Sequence, residues 1–175
     1  MALIFIALGS NMNPENNLKA AATMLRAKHP AIRFSSVYRS APLHHEDQDD
    51  FLNAVAAFEA DHSAEEIFAM LVHIEQKLGK NPPFRFGPRT IDLDFLLHGS
   101  KIHPDIDAWK ASHEAKESPG PLVIPHPRMH ERRFVLEPLL ELQPTDSVHP
   151  ILRKTWEELL SQIKSQKTTK MPIAL

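Results

Sequence analysis

Seven consecutive apolar residues, Ala2 to Leu8, open the chain and stop at Gly9-Ser10-Asn11. A short unbroken run closed by turn formers predicts a buried strand. Asn13 then offers a helix N-cap and Pro14 suits the first helical position, with Leu18, Ala21, Ala22 and Leu25 at helical spacing before Pro30. These features predict a first helix. From Ala31 to Arg39 apolar and polar residues alternate, with Ile32, Phe34 and Tyr38 on one side, which predicts a second strand. A polar loop follows, HHEDQDD, between Leu43 and Phe51. Phe51 to Glu59 alternates again, Leu52, Ala54, Ala56 and Phe58 opposing Phe51, Asn53, Val55 and Ala57, as a third strand. Ser63 with Glu66 three residues on forms a capping box. The stripe Ile67, Met70, Leu71, Ile74 and Leu78 carries the second helix to Gly79. Lys80 to Pro88 is loop, and Thr90 to Leu97 is a fourth strand.

The order strand, helix, strand, strand, helix, strand predicts an α+β fold. It is the ferredoxin-like βαββαβ sandwich, an antiparallel sheet with both helices on one face and the other face open. Beyond it, Ser100 to Gly120 lacks a period and is expected to be a loop insertion. Glu137 to Leu142 and Leu152 to Ile163 are expected to be C-terminal helices, the second burying Trp156, Leu159, Leu160 and Ile163. A single domain over residues 1–164 and a loosely held tail over 165–175 complete the expected organisation.

Composition narrows the function classes. With 175 residues, 42% of them hydrophobic, the chain can bury one core of ordinary size. A formal net charge of -2 supplies no field that would draw it to nucleic acid or to a membrane. Cysteine is absent, which removes disulfides and thiolate chemistry. The apolar opening has no basic n-region and is too short to span a bilayer, so a cytoplasmic protein is expected.

The chemistry concentrates in RFGPRTIDLDF, Arg85 to Phe95. In a strand Ile91, Leu93 and Phe95 share the core side, while Thr90, Asp92 and Asp94 share the other. Neighbouring carboxylates on one face suit Mg²⁺, a hard cation that keeps waters and binds substrate phosphates. Arg85 and Arg89, on a turn with Gly87 and Pro88, place guanidinium groups beside them. Two plainer readings stand alongside: a half-solvated strand with an acidic outer face, and arginines that merely pair with the aspartates. A second cluster, PHPRMHERRF, adds His126, Arg128, His130, Arg132 and Arg133, and equally suits a solvated basic segment. A Walker A cradle is excluded, since Gly79-Lys80 is followed by Asn81 and position 74 is Ile, and no GxGxxG occurs. His44 and His45 lack matched ligand spacing and read as loop residues.

Five separated stretches then converge. GSN at 9–11, SVYRSAPL at 36–43, FLNA at 51–54, FGPRTIDLD at 86–94 and PHPRMHERRFVLEPL at 125–139 together resemble the 6-hydroxymethyl-7,8-dihydropterin pyrophosphokinase family of the folate pathway. The resemblance runs from about Ile4 to Leu142. It implies transfer of the β,γ-pyrophosphoryl unit of ATP to the pterin hydroxymethyl group, with release of AMP. It further implies two Mg²⁺ ions on Asp92 and Asp94, and a catalytic set of Arg89, Asp92, Asp94 and Arg132. ATP contacts are implied at Lys80, Arg85, Arg89, His126 and Arg132. For the pterin, it implies a sandwich between Phe51 and Phe134, an edge contact from Asn53 and backbone contacts at Ser40, Ala41 and Leu43. Taken singly, either Phe reads equally as core and Asn53 as a strand-edge polar group.

The chain departs from the family pattern at Phe86, where tryptophan is common, at Lys80, where arginine is frequent, and in the longer 100–120 stretch. Further expectations are a monomer with small-molecule substrates, ATP and hydroxymethyl dihydropterin, and closure of the 44–50 and 80–86 loops over bound ATP. A non-catalytic ferredoxin-like small-molecule-binding module shares the topology and is the rival reading. An ordinary kinase attacking the γ-phosphate is a further one, separated by its product nucleotide.

Overall fold

Strand β1, Ala2–Ser10, is the axis of the sheet: it pairs with β4, Phe51–Ala60, on one side and with β5, Asp92–His98, on the other, both antiparallel. The computed structural model describes residues 1–43, 47–81, 87–115, 122–144 and 146–175. Between β1 and β4 lie the first helix α1, Pro14–Lys28, and two short strands, β2, Arg33–Phe34, and β3, Val37–Ser40. Helix α2, Ala64–Lys77, leads back toward β5. Along the sheet the order is β5-β1-β4-β3, with β2 also on β4, and this is the antiparallel ferredoxin-like arrangement expected from the element order. The expected second strand is split, because the Ser35 backbone N–H turns to the Val55 carbonyl and the Ser35 hydroxyl accepts from the Val55 N–H.

Alternation decides what each face buries. Ile4, Ile6 and Leu8 of β1, Leu52, Ala54 and Ala56 of β4, and Leu93 and Phe95 of β5 pack against Leu18 and Leu25 of α1 and Ile67, Leu71 and Ile74 of α2. The capping box at Ser63 and Glu66 starts α2, its two reciprocal bonds satisfying backbone donors that the helix leaves free. Asn13 does stand at the N-cap of α1, but in a left-handed conformation with no side-chain cap bond; its Oδ1 accepts from the Asn16 amide instead.

The second face is not open. Helices α4, Arg133–Leu140, and α5, Trp156–Gln162, cover much of it, burying Val135, Leu136, Leu139, Trp156 and Leu159 against Phe5, Val55, Ala57, Leu96 and Leu97. This corrects the expectation of an open second face, which the expected C-terminal helices occupy. A register shift between Phe5 and Ile6 leaves Leu96 as an extra residue in β5, so both Leu96 and Leu97 reach this second core. The 100–120 stretch is likewise more than loop, since helix α3, Ile106–Glu114, forms there behind an Asp105 N-cap and buries Trp109. Residues 116–121 lie outside the described residues.

The expected loose tail is a fifth position on the sheet. Strand β6, Thr168–Met171, pairs with β3, while Met171, Ile173 and Leu175 pack on the first core and Arg26 bonds the Leu175 carbonyl. Ending the chain at Ser165 is expected to lower the unfolding free energy by about 3 kcal/mol through lost apolar burial and strand pairing, read from urea denaturation. An unchanged midpoint would return this segment to the status of a tail. No helix among the described residues is long and apolar enough to cross a membrane.

One buried histidine makes the fold pH-sensitive. His149 is fully buried, its Nδ1 accepts from the Ile151 and Leu152 N–H groups at 3.2 and 3.1 Å, and burial pushes its pKa down to about 3. The folded state keeps the ring neutral while the unfolded chain takes up a proton near pH 6.5, so this stability is intact above pH 6.5 and declines as the pH falls toward 3. At pH 5 the loss from His149 is expected to be about 2 kcal/mol relative to pH 7. Urea titrations of the wild-type chain and of His149→Asn at both values measure it as the difference between their pH slopes.

Candidate functional site

Gly9 sets the geometry of the site. It stands in register with Asp92 on one side and Asn53 on the other, so those two side chains leave the same face of the sheet with only a glycine between them. Ala7 fills the equivalent position two residues back along β1, between Asp94 and Val55. Small residues at these two positions floor a cavity of about 590 Å³ on the α4 side of the sheet.

The GSN turn fixes the arginine turn beside it. Ser10 Oγ donates to the Thr90 carbonyl at 2.5 Å, the Arg89 N–H donates to Asn11 Oδ1 at 2.8 Å, and Asn11 and Met12 N–H groups both reach the Arg89 carbonyl. The Asn11 amide also donates to Gln48 Oε1 and the Asp49 carbonyl, tying the loop before β4 to the same point. Three chain segments therefore meet at Arg89.

Around the two carboxylates the charges are unequal. Asp92 pairs with Lys80 Nζ at 2.6 Å and with the Arg89 guanidinium. Burial works against its ionisation, yet Arg89 and Lys80 together hold its carboxyl below the usual range. Among the described residues Asp94 has only long contacts, 3.5 Å to Arg132 and 3.9 Å to His126 Nε2. Burial and the neighbouring Asp92 charge push its carboxyl up. Lys80 is shared with Glu75 at 2.7 Å; burial opposes its charge, but Asp92 and Glu75 outweigh that and raise it. Glu75 Oε1 additionally accepts from the Leu93 N–H at 2.7 Å, which locks α2 to β5 directly under the site.

From the opposite wall come His126, Arg132 and Phe134. The His126 N–H donates to the Leu96 carbonyl, and its Nδ1 accepts from the Arg128 N–H at 3.2 Å. That bond leaves Nε2 as the protonated nitrogen facing Asp94. Burial drives the ring pKa down to about 3, with the Arg132 charge adding to the effect, so the imidazole is neutral at ordinary pH. Arg132 is the N-cap residue of α4, and its guanidinium lies 6.0 Å from the centre of the Phe134 ring. The α4 start is braced from behind, since Gln166 accepts from the Arg133 N–H and donates to the Glu131 carbonyl.

Ser40, Ala41, Leu43, Phe51, Asn53, Lys80, Arg89, Asp92, Asp94, His126, Arg132 and Phe134 all line this one cavity. Arg85 and Phe86 lie outside the described residues, as do His44 and His45 and portions of the two loops expected to close. The Asn53 amide donates to Ser40 Oγ at 2.9 Å and to the Tyr38 carbonyl at 3.3 Å, which orients the side chain in the floor. Phe51 and Phe134 are half-buried and reach the cavity rather than the centre of either core. Glu75, Gln48 and Phe68, which sequence patterns do not single out, also line the cavity. Glu75 carries a faint signal, a carboxylate on α2 one residue beyond the apolar stripe position Ile74.

The donor set fits a hard divalent cation. Among the described residues Asp94 is a carboxylate with no cationic partner closer than 3.5 Å, next to a second carboxylate, in a cavity offering oxygen and cationic nitrogen but no thiol. Comparison with known proteins identifies relatives of the chain. The model of the family described as 7,8-dihydro-6-hydroxymethylpterin-pyrophosphokinase matches residues 5–144. A Haemophilus influenzae protein named 2-amino-4-hydroxy-6-hydroxymethyldihydropteridine pyrophosphokinase is 37% identical over 175 residues, covering 98% of this chain and 99% of its own. A Bacillus subtilis protein of the same name is 35% identical, covering 80% of this chain and 77% of its own. Among solved structures, the wild-type Plasmodium falciparum HPPK-DHPS with pteroate superposes with a TM-score of 0.64 at 13% identity. That superposition covers 92% of this chain and 42% of the larger protein, and it speaks to the fold alone.

Proposed function

The chain belongs to the 7,8-dihydro-6-hydroxymethylpterin-pyrophosphokinase family, and from that premise we propose how its own residues carry out pyrophosphoryl transfer in folate biosynthesis. The reaction moves the terminal two phosphates of ATP to the pterin hydroxymethyl group and releases AMP. The observation that carries the residue assignment is the pair Asp92 and Asp94 on one sheet face, with only Gly9 between Asp92 and Asn53 and only Ala7 between Asp94 and Val55 in the cross-strand register.

Asp92 and Asp94 would hold magnesium, two ions in this reading. When bound, magnesium supplies positive charge against the triphosphate, which two carboxylates alone would repel. Lys80 and Arg89 neutralise Asp92 in the free protein and turn toward the phosphates once ATP is present, with Glu75 keeping Lys80 anchored. Arg132 stabilises charge that builds on the transferred group, and neutral His126 donates from Nε2 without adding a competing charge. In-line attack on the β-phosphorus needs positioning and charge stabilisation more than covalent help. Phe51 and Phe134 supply flat faces for the bicyclic pterin, and Asn53 Oδ1 with backbone groups at Ser40, Ala41 and Leu43 reads its polar edge.

Gly9 gives the pterin assignment a sharp check. A Cβ there meets Asn53 Oδ1 at 3.4 Å, ordinary contact that the strand tolerates, but it also fills the floor of the cavity. Gly9→Ala is expected to leave thermal stability within about 1 kcal/mol while raising the pterin KM by roughly tenfold, with the ATP KM little changed. Equal effects on both substrates would contradict the placement of the pterin. The cysteine-free chain accords with the cytoplasm, and the working assignment of a monomer is tested by light scattering against the chain mass of 19.8 kDa.

A further inference from the structure

Helix α3, in the 100–120 stretch that departs from the family pattern, meets the 129–131 turn in a cluster that the pyrophosphokinase reaction does not use. Trp109 and His113 of α3 stack with ring centres 5.4 Å apart, and both pack against His130, at 5.7 and 5.0 Å. His149 closes the cluster from behind His130 at 5.7 Å. Ligand atoms of His113, His130 and Glu131 all lie within 4.8 Å of one another.

Tautomers and exposure favour coordination over simple packing. His113 Nδ1 lies 3.1 Å from the Pro127 carbonyl, an acceptor that requires the ring proton on Nδ1. Its other ring nitrogen, Nε2, lies 3.8 Å from Glu131 Oε1. A backbone carbonyl holding one imidazole nitrogen while the other ligates is the usual support for a metal-bound histidine. His130 Nδ1 is buried with no hydrogen-bond partner among the described residues, an unusual state for a buried polar atom. Glu131 is exposed, its other oxygen lies 3.5 Å from Arg128 Nε, and His113 is only partly covered, so an ion has a way in.

We propose that His113, His130 and Glu131 form a binding site for a borderline divalent ion of the zinc class, clamping α3 to the turn between His126 and α4. Two imidazoles and one carboxylate favour zinc over magnesium, and tetrahedral bonds of about 2.0 Å place ligand atoms about 3.3 Å apart, within a small closure of the spacing seen here. The site is separate from Asp92 and Asp94 and does not rest on their role. Its effect is to fix the segment that presents His126, Arg128 and Arg132 to the cavity.

Calorimetric titration of the chelator-stripped full chain with Zn²⁺, in a large excess of Mg²⁺, tests it. One Zn²⁺ per chain is expected, with the same stoichiometry in the Asp92→Asn, Asp94→Asn double variant and at least tenfold weaker binding in His113→Ala and in Glu131→Gln. Co²⁺ should give the strong visible bands of a four-coordinate nitrogen and oxygen site, lost in the same two variants. Binding that persists undiminished in both variants, that disappears only in the aspartate double variant, or that is absent altogether would each overturn the proposal. Glu131→Gln changes one exposed side chain, so a folding failure in His113→Ala would still leave the site testable.

Discussion

Asp94→Asn is expected to lower kcat by about a thousandfold or more and to leave the protein at least as stable as before. The catalytic loss follows if Asp94 is the magnesium ligand proposed above, worth several kcal/mol of charge stabilisation at the transferred group. The stability effect has the opposite sign from the usual result of deleting a buried charge. Burial and Asp92 raise the Asp94 carboxyl, so its ionised form at neutral pH works against folding, and its contacts at 3.5 and 3.9 Å return little. Asp92→Asn should be equally inactive but less stable, by about 1–2 kcal/mol, because Lys80 and Arg89 lose the carboxylate that they hold below the usual range. Turnover assays with thermal melts of both variants check this. The simpler expectation from the strand alone, two outward carboxylates whose removal barely affects folding, does not separate them. Equal destabilisation would mean that the charge asymmetry between the two carboxylates is wrong.

Arg132→Ala should cost about 10²–10³-fold in kcat, with a much smaller change in the ATP KM. A guanidinium held at the start of α4 and only loosely paired with Asp94 can act when charge develops, and loss of one such donor typically has this size. Arg132→Lys is not expected to restore the rate, since an ammonium cannot reproduce the planar two-pronged contact. A rise in KM with unchanged kcat would instead make Arg132 a ground-state phosphate contact.

Much of this site is legible in the sequence because its determinants are local. Period-two alternation from Thr90 to Leu97 puts Asp92 and Asp94 on one side without any knowledge of neighbours, and the element order carries the topology that brings Asn53 beside them. What escapes depends on partners far along the chain. Helix α4 begins at Arg133 and contains Pro138, so its apolar stripe is readable only from Glu137, and nothing local announces the layer it forms over the second face. Helix α3 buries one large residue, Trp109, too little for a periodic signal. Strand β6 reads TTKM and is half exposed, and only its pairing with β3 makes it a strand. Glu75 belongs to the polar side of α2 until α2 docks on β5, where the Leu93 N–H and Lys80 give it a task.

The central claim is that the face of β5 bearing Asp92 and Asp94 directs attack to the β-phosphorus. Its most direct test is to incubate the full chain with Mg-ATP and 6-hydroxymethyl-7,8-dihydropterin, beside Asp94→Asn, and identify the nucleotide released. The expected result is AMP in step with pyrophosphorylated pterin from the wild-type chain and almost none from the variant. ADP with a singly phosphorylated pterin, or AMP formed undiminished by Asp94→Asn, would contradict it.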